Sequence, residues 1–538
     1  TGFDTGNLAT VHPDIRGRIV GTNLVPPTAN WIDTNGHGTH VTGTAAGNGA
    51  VTAQYAGVAP LSNVIVEADI NTGNLIPQNV VNAFNFSYNQ NSRIHSNSWG
   101  SNNNGYLAIN TQIDNYLRQN DELVATWAGP NNNFGRPGLE DNSKNIISVC
   151  ASENSRTQPG PPFPYPSNNP NRIATFATQG PVLADGRTKV DVVAPGAAII
   201  STRSVFADCH GPMVPGANPT GNYTYCSGCS QATPHVAGIA ALIREYLRTV
   251  KHESSIASTL VKAFIINGAV DLFGSPGTNV IRNVPDPRQG WGRVNLTKSL
   301  MPCGDNICVA YETNTLTATG NAKNLTLRFP EGKRIEITLV WLDAGGTSAA
   351  NRHLINNLDL AFSNGSAYFK GNRLVNGRSV EGGSADLINN VEKIILPNGV
   401  TEGFWNVSVS ATNTPQPPTK YSVVIAGIQG VDSVNKSNNL TSSFFRSQNN
   451  ERRVVYATAV GLPANTNVDV YVIPFKKGRD WKNSFSLAGL DVTDRGGNLA
   501  VMTDINGTFK AKKLWDTLNT NRRIIQRHSG LFNIVVEA

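Results

Sequence analysis

Short apolar runs alternate with stretches of helical spacing from residue 1 to about 300. Val64-Ile65-Val66, Leu123-Val124-Ala125, Ile146-Ile147-Ser148-Val149 and Val190-Asp191-Val192-Val193 read as strands, while residues 80–88, 106–118 and 234–249 repeat apolar positions at helical intervals. Such alternation predicts an α/β fold, a parallel sheet flanked by helices. After Cys308 the pattern changes to runs such as Ile335-Glu-Ile-Thr-Leu-Val-Trp341 and Trp405-Asn-Val-Ser-Val-Ser410, with apolar and polar residues in turn. That period of two, punctuated by Gly, Asn and Pro, predicts an antiparallel β-sandwich. A polar linker at 432–439 leads to further strand-like runs, Val454 to Val460, Val468 to Ile473 and Asn533 to Glu537, which predict a second, smaller sandwich. Three domains are expected, over residues 1–300, 301–430 and 431–538.

Composition narrows the class. Only 15% of the 538 residues are charged, and the chain holds 51 Gly and 30 Pro with 39% hydrophobic residues, which excludes charge-rich disorder, coiled coils and charged solenoids. The net charge of +7 is scattered, its densest cluster being Lys510, Lys512 and Lys513 with Arg522 and Arg523, so no nucleic-acid partner is expected. No membrane span is expected either, because the longest apolar candidate, Val236 to Ile243, is broken by Gly238 and flanked by Arg244 and Glu245. Thr1-Gly2-Phe3-Asp4 reads as the interior of a domain and no signal peptide precedes it, so an upstream region is expected.

Six cysteines are too few for a disulfide scaffold. Cys303 and Cys308 enclose a turn that suits a local bridge, and Cys209, Cys226 and Cys229 lie together with Cys150 apart. A zinc site of Cys209, His210, Cys226 and Cys229 lacks the second Cys pair that would complete it. Export to an oxidising compartment is the expected setting, with the chain acting as a monomer.

Two segments carry chemistry: Asn35-Gly-His37-Gly-Thr-His40-Val-Thr-Gly43 and Gly228-Cys229-Ser230-Gln-Ala-Thr-Pro234-His235-Val-Ala-Gly238. A serine hydroxyl is a poor nucleophile, so it needs an imidazole within hydrogen-bond reach and a carboxylate to fix that imidazole's tautomer. The helical pattern after Ser230 puts its hydroxyl at a helix start, where free N–H groups favour developing negative charge. These motifs, with Arg93-Ile-His-Ser-Asn-Ser98-Trp99-Gly100, Asp191-Val-Val-Ala-Pro195-Gly196 and Asn357-Leu-Asp359-Leu, resemble the subtilases, the subtilisin-like serine proteases, and among them the alkaline, oxidatively stable branch with a C-terminal β-sandwich.

The resemblance spans roughly residues 1 to 428 and implies a serine endopeptidase in which His37 is the general base and Ser230 the nucleophile. It makes His40 and His235 packing residues. The family's acid leads an Asp-Thr/Ser-Gly motif at the end of a buried apolar strand. Asp4-Thr5-Gly6 offers one match, but Thr1-Gly2-Phe3-Asp4 matches the residues that come after that acid in the motif, so the carboxylate is expected immediately before Thr1, with Asp4 as the alternative. At the oxyanion hole the family has Ala-Gly-Asn. Here Pro130 comes after Ala128-Gly129, and a one-residue shift assigns the amide to Asn131, ahead of Asn132.

Ser98, Trp99 and Gly100 are expected to form one wall of the substrate cleft, pairing with an extended substrate as an added strand. Trp127 either lines the opposite wall, making a shallow pocket, or is buried beneath the sheet. Cys229 stands where the family has Thr and is either a small buried thiol or a disulfide partner of Cys150 or Cys226. No cofactor is required for the chemistry. Structural calcium is expected from the resemblance, with Asp359 in a matching segment that Asn357 weakens. Polypeptides are the expected substrates; the competing reading is a weakened or inactive subtilase-derived binding or structural protein.

Overall fold

The computed structural model describes residues 11–25, 33–69, 77–101, 105–131, 138, 140–155, 169–178, 185–209, 221–272, 283–300 and 307–429. Beyond these it describes five strands by their backbone. The first part of the chain runs β1 (Ile19–Val25), α1 (His37–Ala46), β2 (Val64–Asp69), α2 (Pro77–Asn89), β3 (Ile94–Asn97), α3 (Ala108–Gln119), β4 (Val124–Ala128) and β5 (Ile147–Ser152). It continues with β6 (Val192–Pro195), β7 (Ile199–Thr202), β8 (Tyr223–Cys226), α4 (Cys229–Thr249), α5 (Ser258–Asn267) and α6 (Leu296–Leu300). Strands β3-β4-β5-β6 form a parallel sheet in that order, β1 pairs in parallel with β2, and β7 pairs antiparallel with β8. The predicted parallel sheet is present, but among the described residues it is divided between β2 and β3.

Helices cover both faces of the central sheet. On one side α4 and α5 contribute Val236, Ile243, Leu260 and Phe264 to a core that includes Val149, Val192 and Val193. On the other, Ile109, Ile113 and Leu117 of α3 recur at i, i+4 and i+8 and pack with Phe84 of α2 against Trp127. Strand β4 is buried at all five positions, and its residues divide between the two cores: Val124 and Ala128 belong to the first, Ala125 and Trp127 to the second. No helix of the described residues is long and apolar enough to cross a membrane.

The next part is antiparallel throughout: β9 (Ile307–Leu316), β10 (Ala322–Phe329), β11 (Ile335–Trp341), β12 (Asn357–Ser363), β13 (Tyr368–Val375), β14 (Arg378–Glu381), β15 (Val391–Leu396), β16 (Gly403–Asn413) and β17 (Thr419–Gln429). A five-stranded sheet, β10-β16-β12-β13-β14, faces a four-stranded one, β15-β11-β17-β9. Phe329, Phe362 and Trp405 of the first sheet and Ile337, Trp341 and Ile425 of the second share one core, which makes the pair a sandwich. After residue 440, β18 (Thr441–Arg446) pairs with β19 (Val455–Val460), and β20 (Asn467–Pro474) lies between β21 (Val501–Met502) and β22 (Phe532–Glu537).

The outer face of the four-stranded sheet packs on α5, all ten residues of which are buried. Val340, Val391, Ile395 and Val424 join the core of the α/β part, and Thr338 Oγ1 donates to Asn267 Oδ1 at 2.9 Å. Glu336 sits at this junction, 2% exposed, with Lys298 Nζ at 2.8 Å and Lys393 Nζ at 2.7 Å, and Arg334 beside it. Burial alone would raise its carboxyl, but the three cations outweigh that and pull it down to about 2. Burial lowers Lys393 to about 8, so the pair is ionised at neutral pH.

A depressed carboxyl stabilises the fold above its unfolded value, near 4.5, and that contribution is lost as pH falls through the folded value. About 3 kcal/mol should therefore disappear between pH 5 and 2. Urea unfolding of Glu336→Gln checks this: its penalty at pH 7 should shrink towards zero at pH 2, and an equal penalty at both would refute the linkage.

Candidate active site

Helix α1 begins on His37 because Gly36 turns the chain at φ 76° into a space where a Cβ would lie 2.6 Å from the Asp208 carbonyl oxygen. Asp33 fixes this start: its Oδ1 accepts the Gly36 N–H at 2.8 Å, and its Oδ2 accepts the Thr39 N–H at 2.8 Å and the Thr39 hydroxyl at 2.7 Å. The helix is pinned to β7, where Ser201 Oγ donates to the His40 carbonyl at 2.8 Å and Thr202 Oγ1 to the Thr39 carbonyl at 2.7 Å. This frame holds His37 buried, at 4% exposure. His40 Nε2 donates to the Ile199 carbonyl at 3.1 Å, and His235 Nδ1 donates to the Gln231 carbonyl at 2.8 Å while burial lowers its pKa. Both histidines face structural carbonyls.

Ser230 is the second residue of α4 and is half-buried. Four residues on, Pro234 has no N–H, so the Ser230 carbonyl lacks its helical donor. Ser98 Oγ fills the vacancy, donating to that carbonyl at 2.8 Å, and Ser230 Oγ donates in return to the Ser98 carbonyl at 3.0 Å. The segment after β3 is thereby tied to the first turn of α4.

Asn131 closes the other side. Its Oδ1 accepts the Cys229 N–H at 2.7 Å, which turns the amide nitrogen away from that bond, towards a point 3.2 Å from where a Gly228 Cβ would stand. Asn131 itself is exposed. The amide is therefore fixed at the start of α4, one residue before Ser230; Asn132 lies outside the described residues.

Of the cleft residues, Ser98 is 8% exposed, Trp99 half-buried and Gly100 exposed. The Trp99 carbonyl accepts Trp127 Nε1 at 2.7 Å, and the two indoles meet edge to face with centroids 4.6 Å apart. Trp127 has no exposed surface, so it does not line a wall open to substrate; it lies beneath the sheet, among Phe84 and the residues of α3.

Cys229 pairs with Cys150 of β5, and Cys209 pairs with Cys226, so the zinc reading of Cys209, His210, Cys226 and Cys229 has no thiolates left to ligate with. His210 and Cys303 lie outside the described residues. Asp4 does too. Among the described carboxylates, that of Asp33 is committed as above, that of Asp208 to Arg203 Nε at 2.7 Å, and that of Asp14 to the Tyr223 hydroxyl at 2.6 Å and the Val51 N–H at 3.0 Å. Asp359 on β12 is half-buried, and its Oδ1 accepts Asn357 Nδ2 at 2.9 Å. Among the described residues no three His, Cys, Asp or Glu side chains converge as metal ligands.

Beside the site a cleft of about 950 Å³ separates β2 from β3. Val64 to Glu67 line one side and Ile94 to Asn97 the other, with Gly38 and Val41 of α1 between them. Among the described residues, β2 pairs only with β1 and β3 only with β4, so both edges facing the cleft are unpaired.

Three residues that sequence reasoning passed over bear on this site: Asp33, and the adjacent Glu140 and Asp141, which lie beneath Gly100 and Gly129. A doublet of acids soon after Asn131, in a chain with so few charges, was the available signal.

The family described as "Subtilase family" matches residues 1–292. The serine protease/ABC transporter B family protein tagA of Dictyostelium discoideum is 26% identical over 523 residues, a match that takes in 79% of this chain and 29% of that protein. Serine protease AprX of Bacillus subtilis is 29% identical over 51% of this chain and 63% of its own length, and thermitase of Thermoactinomyces vulgaris is 30% identical over 51% and 81%. The chain thus spans under a third of tagA. A cold adapted subtilisin-like serine proteinase of known structure superposes with TM-score 0.35 at 24% identity, over 55% of this chain and 84% of that one.

Proposed function

The chain belongs to the subtilase family of serine proteases, and from that premise we propose that it is a secreted endopeptidase that cleaves extended polypeptides through an acyl-enzyme on Ser230. The observation that carries this reading is the start of α4, a 21-residue helix, where the Ser230 hydroxyl and backbone N–H lie next to the Asn131 amide, itself held by the Cys229 N–H.

In the proposed cycle His37 takes the proton of Ser230 as its oxygen bonds to the substrate carbonyl carbon. The Asn131 amide and the Ser230 N–H hold the resulting oxyanion. The proton then passes to the amine as the C–N bond breaks, and a water activated by His37 hydrolyses the ester and restores the serine. If Asn131 serves this way, Asn131→Ala should lower kcat about 10²- to 10³-fold with KM little changed, read from steady-state hydrolysis of a peptide anilide. A change confined to KM would assign Asn131 to ground-state binding instead.

Secretion is supported by the two disulfides, which persist in oxidising compartments.

A generic fluorophosphonate tests the reading on the full-length protein. Covalent labelling should map to the peptide holding Ser230, accompany cleavage of unfolded casein, and vanish in Ser230→Ala. Absence of both labelling and cleavage would leave a non-catalytic relative.

A further inference from the structure

The strips Ser98–Ser101 and Ala128–Asn131 meet Ser230 from opposite sides, so a substrate's side chain next to the scissile bond must enter between them. Two carboxylates lie directly beneath. Glu140 is 3% exposed; its Oε2 accepts the Ser101 N–H at 2.8 Å and stands 3.3 Å from where a Gly100 Cβ would be. Asp141 is 1% exposed; its Oδ2 lies 3.4 Å from the corresponding point on Gly129 and its Oδ1 2.9 Å from that on Gly138. Gly100 and Gly129 carry no side chain at these points, and among the described residues the carboxyl groups share the space beneath them with Trp127 Nε1, 3.7 Å from the point on Gly100, and Val190 Cγ1, 3.1 Å from that on Gly129.

Asp141 Oδ1 is buried without a hydrogen-bond partner, while its Oδ2 accepts Ser148 Oγ at 3.3 Å. An unmet acceptor next to a second carboxylate is costly unless a cation or donor arrives. Burial pushes the Asp141 carboxyl up to about 8 against the pull of Lys189, and the neighbouring Glu140 adds to the rise. In the empty site Asp141 is therefore largely protonated at neutral pH, and a cation entering between the strips would favour release of its proton.

Resting on the proposed endopeptidase function, we propose that Glu140 and Asp141 form an acidic floor to the pocket for the residue before the scissile bond, and that the enzyme cleaves after arginine or lysine. A guanidinium reaching the floor would hydrogen-bond the free Asp141 Oδ1 and the outer lone pairs of Glu140. The competing account makes Glu140 only a clasp for the Ser101 backbone; it affects all substrates alike.

Peptidyl diphenyl phosphonates that differ only in the side chain presented to this pocket separate the two, with the generic fluorophosphonate as reference. The wild-type protein should react at least 10-fold faster with the arginine-type than with the phenylalanine-type reagent. Glu140→Gln, which keeps an acceptor for Ser101, should bring that ratio down about 10- to 100-fold, the scale of a lost charge-assisted hydrogen bond. A phenylalanine-type preference, or an arginine ratio untouched by Glu140→Gln, overturns the acidic floor while fluorophosphonate labelling upholds the protease. Failure of the fluorophosphonate itself overturns the protease reading as well. The wild-type ratio decides even if the variant does not fold.

Discussion

Ser230→Ala is expected to lower kcat by about 10⁶-fold, the magnitude found when the corresponding serine is removed from subtilisin, a member of the same family. In the proposed mechanism the loss is this large because the Ser230 oxygen forms the acyl bond, and Cys229, the adjacent residue, is held in its bridge to Cys150 and offers no thiol in its place. The substitution deletes the bond to the Ser98 carbonyl but leaves the Ser98 hydroxyl on the Ser230 carbonyl, so α4 should keep its place. His37→Ala should cost nearly as much, and the double variant little more than either, because base and nucleophile act in one step. Steady-state hydrolysis of a peptide anilide reads all three. A Ser230→Ala protein within tenfold of the wild type would show that Ser230 is not the nucleophile.

The largest expected loss of stability comes from Lys144→Met, about 3–5 kcal/mol, the usual cost of removing one partner from a buried ion pair. Lys144 is fully buried just before β5, and its ammonium group serves Asp343 Oδ2, the Ala344 carbonyl and, at 2.6 Å, the His353 carbonyl. Asn145 adds a reciprocal pair with the Asp343 backbone, donating to its carbonyl at 2.8 Å and accepting its N–H at 3.0 Å. Methionine fills much of the same space but leaves the Asp343 carboxylate unneutralised. Adding Asp343→Asn should restore part of the loss, since an amide carries no charge to strand. Urea unfolding at pH 7 measures both variants. A loss under about 1 kcal/mol for Lys144→Met would mean that solvent compensates the carboxylate.

Much of the site was legible in the chain because glycine-flanked motifs are local. His37 and Ser230 stand in segments whose backbone turns, at Gly36 and Gly228, are written in the adjacent residues. The pattern of apolar runs likewise gave the helices α2, α3 and α4 and the change to antiparallel strands after Cys308. Trp127 was not legible in the same way. Every residue of β4 is buried, and when both faces of a strand are covered the period of two that would tell one from the other vanishes. Which of Cys150 and Cys226 bridges Cys229 was equally hidden, since the answer depends on β5 and the start of α4 meeting across 79 residues.

Strand β11 marks the limit most clearly. Ile335, Ile337, Leu339 and Trp341 alternate with Glu336, Thr338 and Val340, and that period determined a strand with one face in a sandwich core. Alternation alone would put the second set in water. All seven residues are buried, because α5 lies over the other face and supplies partners: Asn267 to Thr338, and the carbonyls of Ile266 and Asn267 to Lys393, which pairs with Glu336. Sequence fixes what a residue can offer along its own element, since propensity and period are properties of neighbours in the chain. Whether a polar group faces solvent or a partner depends on which distant element covers it, and that was decided only when α5 and the four-stranded sheet packed together.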